Sequence, residues 1–246
     1  MRNIINYANA IKNIVYVLTQ EEVLLDTKVE IGDDYYASTT SNMTDSIIVV
    51  PNEYDILDEQ NIFILNYINY KYGLELDNNN IWDHCLFSVL HEIGHIIDYS
   101  NKYKEGQDVL IAYSKEDTKK KDELHNKYGE ELDSILAAED KIRNKMNKLN
   151  DKMSQLLLEA NENLLSDNYN ANRNTAILNK CNKYMKKYES LKENMKALNK
   201  SIGELDKKDY YSYRQITTEY EADKIAALIL KEYGAQIRDY LTAVGL

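Results

Sequence analysis

The chain has 246 residues, a formal net charge of -11 and 43% hydrophobic residues, enough for the core of one domain with an appendage. Charged residues make up 29% of the chain and the apolar runs are short, so we expect no membrane association. The acidic balance, without a cluster of basic and aromatic residues, argues against a nucleic-acid partner.

The two cysteines, Cys85 and Cys181, lie far apart in the chain, and neither belongs to a metal-binding pair. We therefore expect two free thiols, with no disulfide and no thiolate metal site. The first residues of the chain lack the continuous apolar stretch of a secretory signal. This leaves two alternatives open, a cytoplasmic protein and one that is secreted or delivered by another route.

The first hundred residues predict a mixed region of helices and strands. A helix is predicted at Ile4–Ile14, followed by a strand at Val15–Leu18. Lys28–Ile31 and Tyr35–Ser38 are two further short strands. Because the segment Gly32-Asp33-Asp34 between them is a good turn sequence, we expect these two strands to form a hairpin.

The next elements lead to a long helix. The β-branched segment Ser46–Val50 ends at Pro51, the only proline, which is typical of an edge strand. A helix is predicted at Asp58–Tyr72. The polar run Asn78-Asn79-Asn80 then supplies an N-cap for a helix at Ile81–Tyr99.

Residues 115–208 have a different pattern. Apolar residues recur there at alternating steps of three and four, first from Ile135 to Ala160 and again from Ile177 to Leu205. This spacing is the seam of a left-handed coiled coil, and the polar segment Ser166–Asn172 separates the two series. We predict a long antiparallel helical hairpin, inserted between 1–114 and 209–246. The hairpin is also a candidate docking surface for a protein partner.

The last predicted element is a helix from Thr217 to about Tyr233. Ile225, Leu228 and Ile229 lie on one of its faces, and Gly234 is expected to end it.

The segment His91-Glu92-Ile93-Gly94-His95 is an HExxH motif on the predicted helix Ile81–Tyr99. His91 and His95 are one helical turn apart, so both imidazoles project from the same face and can bind one metal ion. Glu92 is near enough to take a proton from the attacking water without being a ligand. The structural alternative is a buried amphipathic helix with incidental histidines.

A zinc peptidase site needs a third protein ligand and leaves the fourth position to water. Glu219 is the candidate, because Asp223 follows it by one helical turn and can hydrogen-bond His91 while Glu219 binds the metal. Glu221 is the main competitor, but Lys224 and Ile225 stand where its acidic partner would be. A solvated acidic helix face is the structural alternative for all of these carboxylates.

The HExxH motif with the later Glu219-x-x-x-Asp223 resembles the gluzincin metallopeptidases. The longer segment Leu90–Tyr99 is similar to the catalytic domain of anthrax lethal factor and its relatives, which include bacterial Pro-Pro endopeptidases. The resemblance implies a zincin-like α+β fold, one Zn²⁺ ion, Glu92 as general base and Ser46–Val50 as an edge strand that pairs with a peptide substrate. It covers 1–114 and 209–246, and it says nothing about the hairpin.

The same family uses a tyrosine seven residues before its glutamate ligand to stabilise the oxyanion. That position is Ser212 in this chain, and its two neighbours, Tyr211 and Tyr213, are both candidates for the role. Three further polar residues are predicted to be non-catalytic. His84 is expected to be structural, His125 to be exposed to solvent, and Asp98 to support a ligand or cap a helix.

The fold class expected is therefore α+β, a zincin-like domain with a small mixed sheet, interrupted by a helical hairpin. The expected function is a zinc endopeptidase that hydrolyses a selective protein substrate, with Glu92 as general base. Two alternatives stay open: an interaction or scaffolding protein with a structural or vestigial zinc site, and a regulatory metallopeptidase that cleaves a repressor.

Overall fold

The structure is a computed structural model that describes residues 3–33, 36–39, 44–51, 59–166 and 169–246. These residues form a mixed α+β fold dominated by long helices. The chain divides into two compact units, Met1–Asp122 with Ser212–Leu246, and Glu123–Tyr211. The insertion predicted from the sequence spans residues 115–208. Within the described ranges, no helix combines the length and apolar composition needed to cross a membrane.

The described residues contain six helices, three strands and one 3-10 turn at Glu22–Leu24. The helices are α1 Ile4–Thr19, α2 Glu59–Tyr72, α3 Ile81–Glu105, α4 Gln107–Leu165, α5 Ala171–Tyr213 and α6 Thr217–Ala243. The strands are β1 Lys28–Gly32, β2 Tyr36–Thr39 and β3 Ser46–Pro51.

Helix α1 continues through the segment predicted as a strand, so the strand at Val15–Leu18 is wrong. Asn3 caps the helix by accepting a hydrogen bond from the Ile5 backbone N–H. Tyr7, Ile11 and Val15 are all buried, so the apolar face keeps its four-residue spacing into the supposed strand. The helical period therefore decides the structure here, although Val15 and Val17 are β-branched.

The three strands form one mixed sheet in the order β1-β3-β2. β3 is parallel to β1 and antiparallel to β2, so the predicted hairpin between the first two strands is wrong. The edge position predicted for Ser46–Val50 is also wrong, because β3 is paired on both sides. Ile48 and Val50 are fully buried, as expected when the most apolar strand takes the centre of a sheet. This segment therefore cannot pair with a peptide.

Helix α2 ends at Tyr72 and helix α3 begins at Ile81, both as predicted. The predicted first residue of α2, Asp58, lies outside the described residues. The Asn80 side chain accepts a hydrogen bond from the Trp82 backbone N–H and caps α3, as predicted. Helix α3 runs on past Tyr99 to Glu105 and ends at Gly106, whose φ is 150°.

Helix α6 also continues beyond its predicted end. Gly234 lies inside the helix, and Ile237 and Leu241 beyond it are buried. These two residues extend the apolar face of α6 by two more turns. Their burial outweighs the modest helix-breaking tendency of one glycine, so the predicted stop at Gly234 is wrong.

In the second unit, α4 and α5 are antiparallel. Tyr128, near one end, donates a hydrogen bond to Asp206, with 2.6 Å between the oxygens. At the other end an ion pair of 2.8 Å joins Glu159 and Arg173. Near the end of α4, the buried Asn163 donates its side-chain N–H to the Asn170 carbonyl, and the predicted turn Ser166–Asn172 lies partly outside the described residues.

The core of the first unit surrounds α3. Fully buried side chains from α1, β3, α3 and α6 meet there, among them Ile11, Ile48, Leu90, Ile93 and Ile237. Cys85 and Cys181 are not joined by a disulfide, and Cys85 is buried in this core.

Helices α3 and α6 approach each other closely at Gly94. A Cβ atom added there would lie 2.5 Å from the Ala222 carbonyl oxygen and 2.9 Å from the Ala222 Cα atom. Both obstacles are backbone atoms, which cannot rotate away. Gly94 lies between His91 and His95, and Ala222 lies between Glu219 and Asp223, so this contact sets the distance between the two motifs.

We expect Gly94→Ala to destabilise the protein by about 1–3 kcal/mol, because the added methyl group must push the two helices apart. The measurement is chemical denaturation followed by far-ultraviolet circular dichroism. Gly234→Ala is the matched control: it lies in a helix interior with only the Leu230 Cδ2 atom nearby, at 3.9 Å. Gly234→Ala should stabilise the protein by about 0.5–1 kcal/mol. Equal changes in the free energy of unfolding for the two variants would contradict the close contact at Gly94.

Candidate metal centre

Three buried side chains converge where α3 passes the first turn of α6. His91 and His95 come from α3, and Glu219 comes from α6. The two histidine Nε2 atoms are 3.1 Å apart. The Glu219 Oε2 atom is 3.3 Å from His91 Nε2, and its Oε1 atom is 3.6 Å from His95 Nε2. The three potential ligand atoms all lie within 4.8 Å of one another, so the cluster could hold a metal ion.

The surroundings favour positive charge at this place. Burial and the Arg214 guanidinium oppose protonation of His91, but hydrogen bonds with Asp223 and Glu219 outweigh them and raise the His91 pKa to about 9. Burial alone would raise the pKa of Glu219, yet its hydrogen bonds with His91 and His95 hold that pKa well below the ordinary value. A bound cation would supply the positive charge that these surroundings favour. Two imidazoles and one carboxylate are ligands that suit a borderline divalent metal ion.

Asp223 holds the His91 ring through its Nδ1 atom. Its Oδ1 atom lies 3.0 Å from His91 Nδ1, and the residue is fully buried. A hydrogen bond at Nδ1 directs Nε2 of the same ring toward His95 and Glu219. Glu221, the competing candidate ligand, instead pairs with Lys224 at 3.0 Å and is not part of the cluster.

Glu92 follows His91 on α3 and is only 5% exposed. Burial raises the pKa of its carboxyl group above the ordinary value, and the neighbouring His91 and His95 oppose that effect. The side chain is not one of the three clustered ligands. A buried acid beside the ligands but outside their set is the arrangement that proton transfer at this site needs.

Arg214 is a site residue that the sequence analysis missed. It is buried, and its Nη1 atom lies 3.0 Å from Asp223 Oδ1 and 3.1 Å from His91 Nε2. The guanidinium thus shares Asp223 with His91 and places a permanent charge beside the cluster. No sequence spacing marked it, because Arg214 lies in the short link between α5 and α6.

Lys121 is a second missed residue. Its ammonium group lies 2.9 Å from Glu219 Oε1 and 3.1 Å from Asp117 Oδ2, and Asp117 in turn accepts a hydrogen bond from Thr218. Burial would lower the pKa of Lys121, but Glu219 and Tyr213 raise it overall, so the group stays charged. Both Asp117 and Lys121 fall within the predicted hairpin insertion, residues 115–208, so no sequence pattern links them to the site.

The two candidate tyrosines differ in position. The Tyr213 hydroxyl donates a hydrogen bond of 2.9 Å to Glu219 Oε1, and burial raises the pKa of its phenol above the ordinary value. Tyr211 is 49% exposed and belongs to the second unit. Tyr213 is therefore the tyrosine that the structure brings to the cluster.

The remaining polar residues of the sequence analysis lie outside the cluster. His84 is buried, and its Nε2 atom lies 2.9 Å from the Asn78 carbonyl oxygen. Asp98 accepts a hydrogen bond of 2.7 Å from the Tyr113 hydroxyl. His125 is exposed.

We expect Asp223→Asn to weaken zinc binding by about 10- to 100-fold, because His91 loses the carboxylate that orients its ring. Competition with a chromogenic zinc chelator measures the affinity. Glu221→Gln is the matched control, since it removes a carboxylate from the same helix turn but outside the cluster. If Glu221→Gln weakened binding more than Asp223→Asn, the ligand assignment on α6 would be wrong.

A scan against protein-family models, a search of curated proteins and a search of solved structures found no match to this chain. The resemblance to the lethal-factor family, which came from the motifs, stays a prediction.

Proposed function

We propose that the chain is a zinc-dependent endopeptidase with a zincin-like catalytic unit. The observation that carries the proposal is the buried convergence of His91, His95 and Glu219, with Glu92 beside them. Two histidines and one carboxylate are the ligand set of thermolysin-type zinc sites, which keep an open fourth position. A structural zinc site is normally closed by four protein ligands and has no use for a buried acid at its side.

Each residue has a definite role in this proposal. A zinc ion held by His91, His95 and Glu219 would act as a Lewis acid toward the peptide carbonyl. The Glu92 carboxylate takes a proton from the attacking water and later delivers it to the leaving amide nitrogen. The Tyr213 hydroxyl donates a hydrogen bond to the oxyanion, and Asp223 keeps His91 oriented.

The sheet also has an edge that suits an extended peptide. β3 is central, but β2 is the outer strand on that side of the described sheet and packs against α3, which carries the histidines. We assign peptide pairing to the backbone of β2, because an unpaired strand edge is a ready template for another strand. A substrate bound there would lie along the helix that holds Glu92.

The proposal is tested by separating metal binding from turnover. Glu92→Gln should keep one zinc ion per chain and lose cleavage of a peptide library, because it removes the general base but no ligand. His95→Ala should lose both. Zinc content is measured by mass spectrometry and cleavage by product sequencing. Cleavage by Glu92→Gln at the wild-type rate would refute the mechanism.

The same experiment decides between the proposal and its two alternatives. Zinc without cleavage of any peptide, in the wild type and in Glu92→Gln alike, would favour an interaction or scaffolding protein. Cleavage confined to a sequence from a transcriptional repressor would favour a regulatory metallopeptidase.

We expect Tyr213→Phe to lower kcat by about 10²- to 10³-fold with little change in KM, since the lost hydrogen bond acts in the transition state. Tyr211→Phe is the control, because its side chain is half exposed and lies in the second unit. Steady-state kinetics on a cleaved peptide give both constants. A larger effect of Tyr211→Phe would transfer the role to that residue.

A further inference from the structure

A lysine-lined groove runs between the two helices of the second unit. Two adjoining cavities of about 570 and 380 Å³ form it, and they share Lys152 of α4 and Lys187 of α5. Six exposed lysines line the groove: Lys145, Lys148, Lys152, Lys180, Lys183 and Lys187. The only carboxylate in its lining is that of Glu159, which pairs with Arg173. We call this surface the lysine groove.

The groove places like charges where two paired helices ordinarily place opposite ones. Glu159 and Arg173 form an ion pair between the helices. Lys152 and Lys145 precede Glu159 on α4 by seven and fourteen residues, and Lys180 and Lys187 follow Arg173 on α5 by the same intervals. Because the two helices are antiparallel, residues at equal intervals from the Glu159–Arg173 pair lie opposite each other. Lys152 therefore faces Lys180, and Lys145 faces Lys187. Opposite charges at such positions stabilise a helix pair, and two lysine pairs oppose it.

These lysines are not neutralised from elsewhere in the described chain. No carboxylate of the described residues lies within ion-pair distance of any of the six. The positive charge of the groove also contrasts with the net charge of the whole chain, which is -11. Repulsion among these exposed lysines lowers the stability of the hairpin, and a bound polyanion would remove that repulsion.

The floor of the groove indicates which kind of anion fits. Leu149, Leu156 and Leu191 lie between the lysines and are only partly buried, and Tyr184 lies beside them with Lys152 Nζ 6.0 Å from its ring centre. An apolar floor with basic rims matches a helix that has leucine-type residues on one side and carboxylates on the flanks. Phosphate backbones have no apolar stripe to place there, and the groove contains no arginine, the residue suited to bidentate phosphate binding.

We propose that the lysine groove is the docking site for an acidic amphipathic helix of a partner protein. The partner helix lies against Leu149, Leu156 and Leu191 and adds a third helix to the pair. Its carboxylates lie between the facing lysines and replace two repulsive contacts with attractive ones. This site is separate from the metal centre, and its function does not depend on zinc or on peptide cleavage.

The test uses the full chain and a labelled synthetic probe, a helical 21-residue peptide with leucines at heptad core positions and glutamates beside them. Fluorescence anisotropy should show binding that weakens as salt is raised, because the contacts are between exposed charges. A second peptide has the same composition with the leucines scattered around the helix, and it should bind more weakly. Equal binding of the two peptides would remove the role of the apolar floor and overturn the proposal.

The decisive variant is Lys152→Glu with Lys187→Glu. Each new carboxylate would face a lysine, Lys180 or Lys145, so the thermal stability of the hairpin should rise while peptide binding falls by at least about tenfold. Lys186→Glu with Lys192→Glu changes the net charge equally outside the groove lining, and it should leave binding unchanged. A loss of binding in both variants would mean a general charge effect and no specific site.

Three other occupants are distinguished in the same measurements. Tighter binding of duplex DNA, or of vesicles containing phosphatidylserine, than of the peptide would assign the groove to phosphate groups and overturn the proposal. Self-association of the wild type that Lys152→Glu with Lys187→Glu abolishes, measured by light scattering, would assign it to a second copy of the chain. Failure of the wild type to bind the peptide at low salt would also overturn it.

Discussion

The candidate metal centre depends on one close contact, that between Gly94 of α3 and the backbone of Ala222 of α6. Each of the two residues is the fourth of five in its motif, HExxH or ExxxD, so the contact brings His91 and His95 from one helix next to Glu219 and Asp223 from the other. A methyl group at Gly94 has no room among those backbone atoms. Glycine at this position therefore serves the geometry between two helices, and no property of the metal-binding helix alone requires it.

A second constraint is the balance of buried charge around that contact. Four carboxylates of low exposure, Glu92, Asp117, Glu219 and Asp223, lie near two cations, Arg214 and Lys121. With the histidines neutral, as metal ligation requires, and these six groups ionised, four negative and two positive charges leave an excess of two negative charges. A proton on His91, whose pKa is raised to about 9, supplies part of the missing positive charge, and a divalent ion would supply all of it. Buried charges are stable only when paired, so this balance is compatible with a metal ion at the cluster.

The parts of the site that follow helical spacing were predictable from the sequence. His91, His95, Glu219 and Asp223 are each one turn from their partner, and a helix of fixed period brings such residues to the same face. Arg214 and Lys121 were not predictable, because they reach the site from other elements across tertiary contacts.

The fold shows the same division between local and long-range structure. The Asn80 cap and the start of α3 depend on neighbouring residues, and both followed from the sequence. The central place of β3 depends on which strands pair, and local patterns do not encode that pairing. The ends of α1 and α6 were misplaced because Val15, Ile237 and Leu241 pack into a core formed by distant residues. There, burial outweighs the strand tendency of Val15–Leu18 and the helix-breaking tendency of Gly234.

The most direct test of the central claim is an anomalous difference map, recorded at the zinc absorption edge, from crystals of the protein grown with zinc. We expect one strong peak about 2.0–2.2 Å from His91 Nε2, His95 Nε2 and a Glu219 carboxylate oxygen. A well-ordered map with no peak between these three residues, or with its peak at another set of ligands, would contradict zinc binding at this cluster.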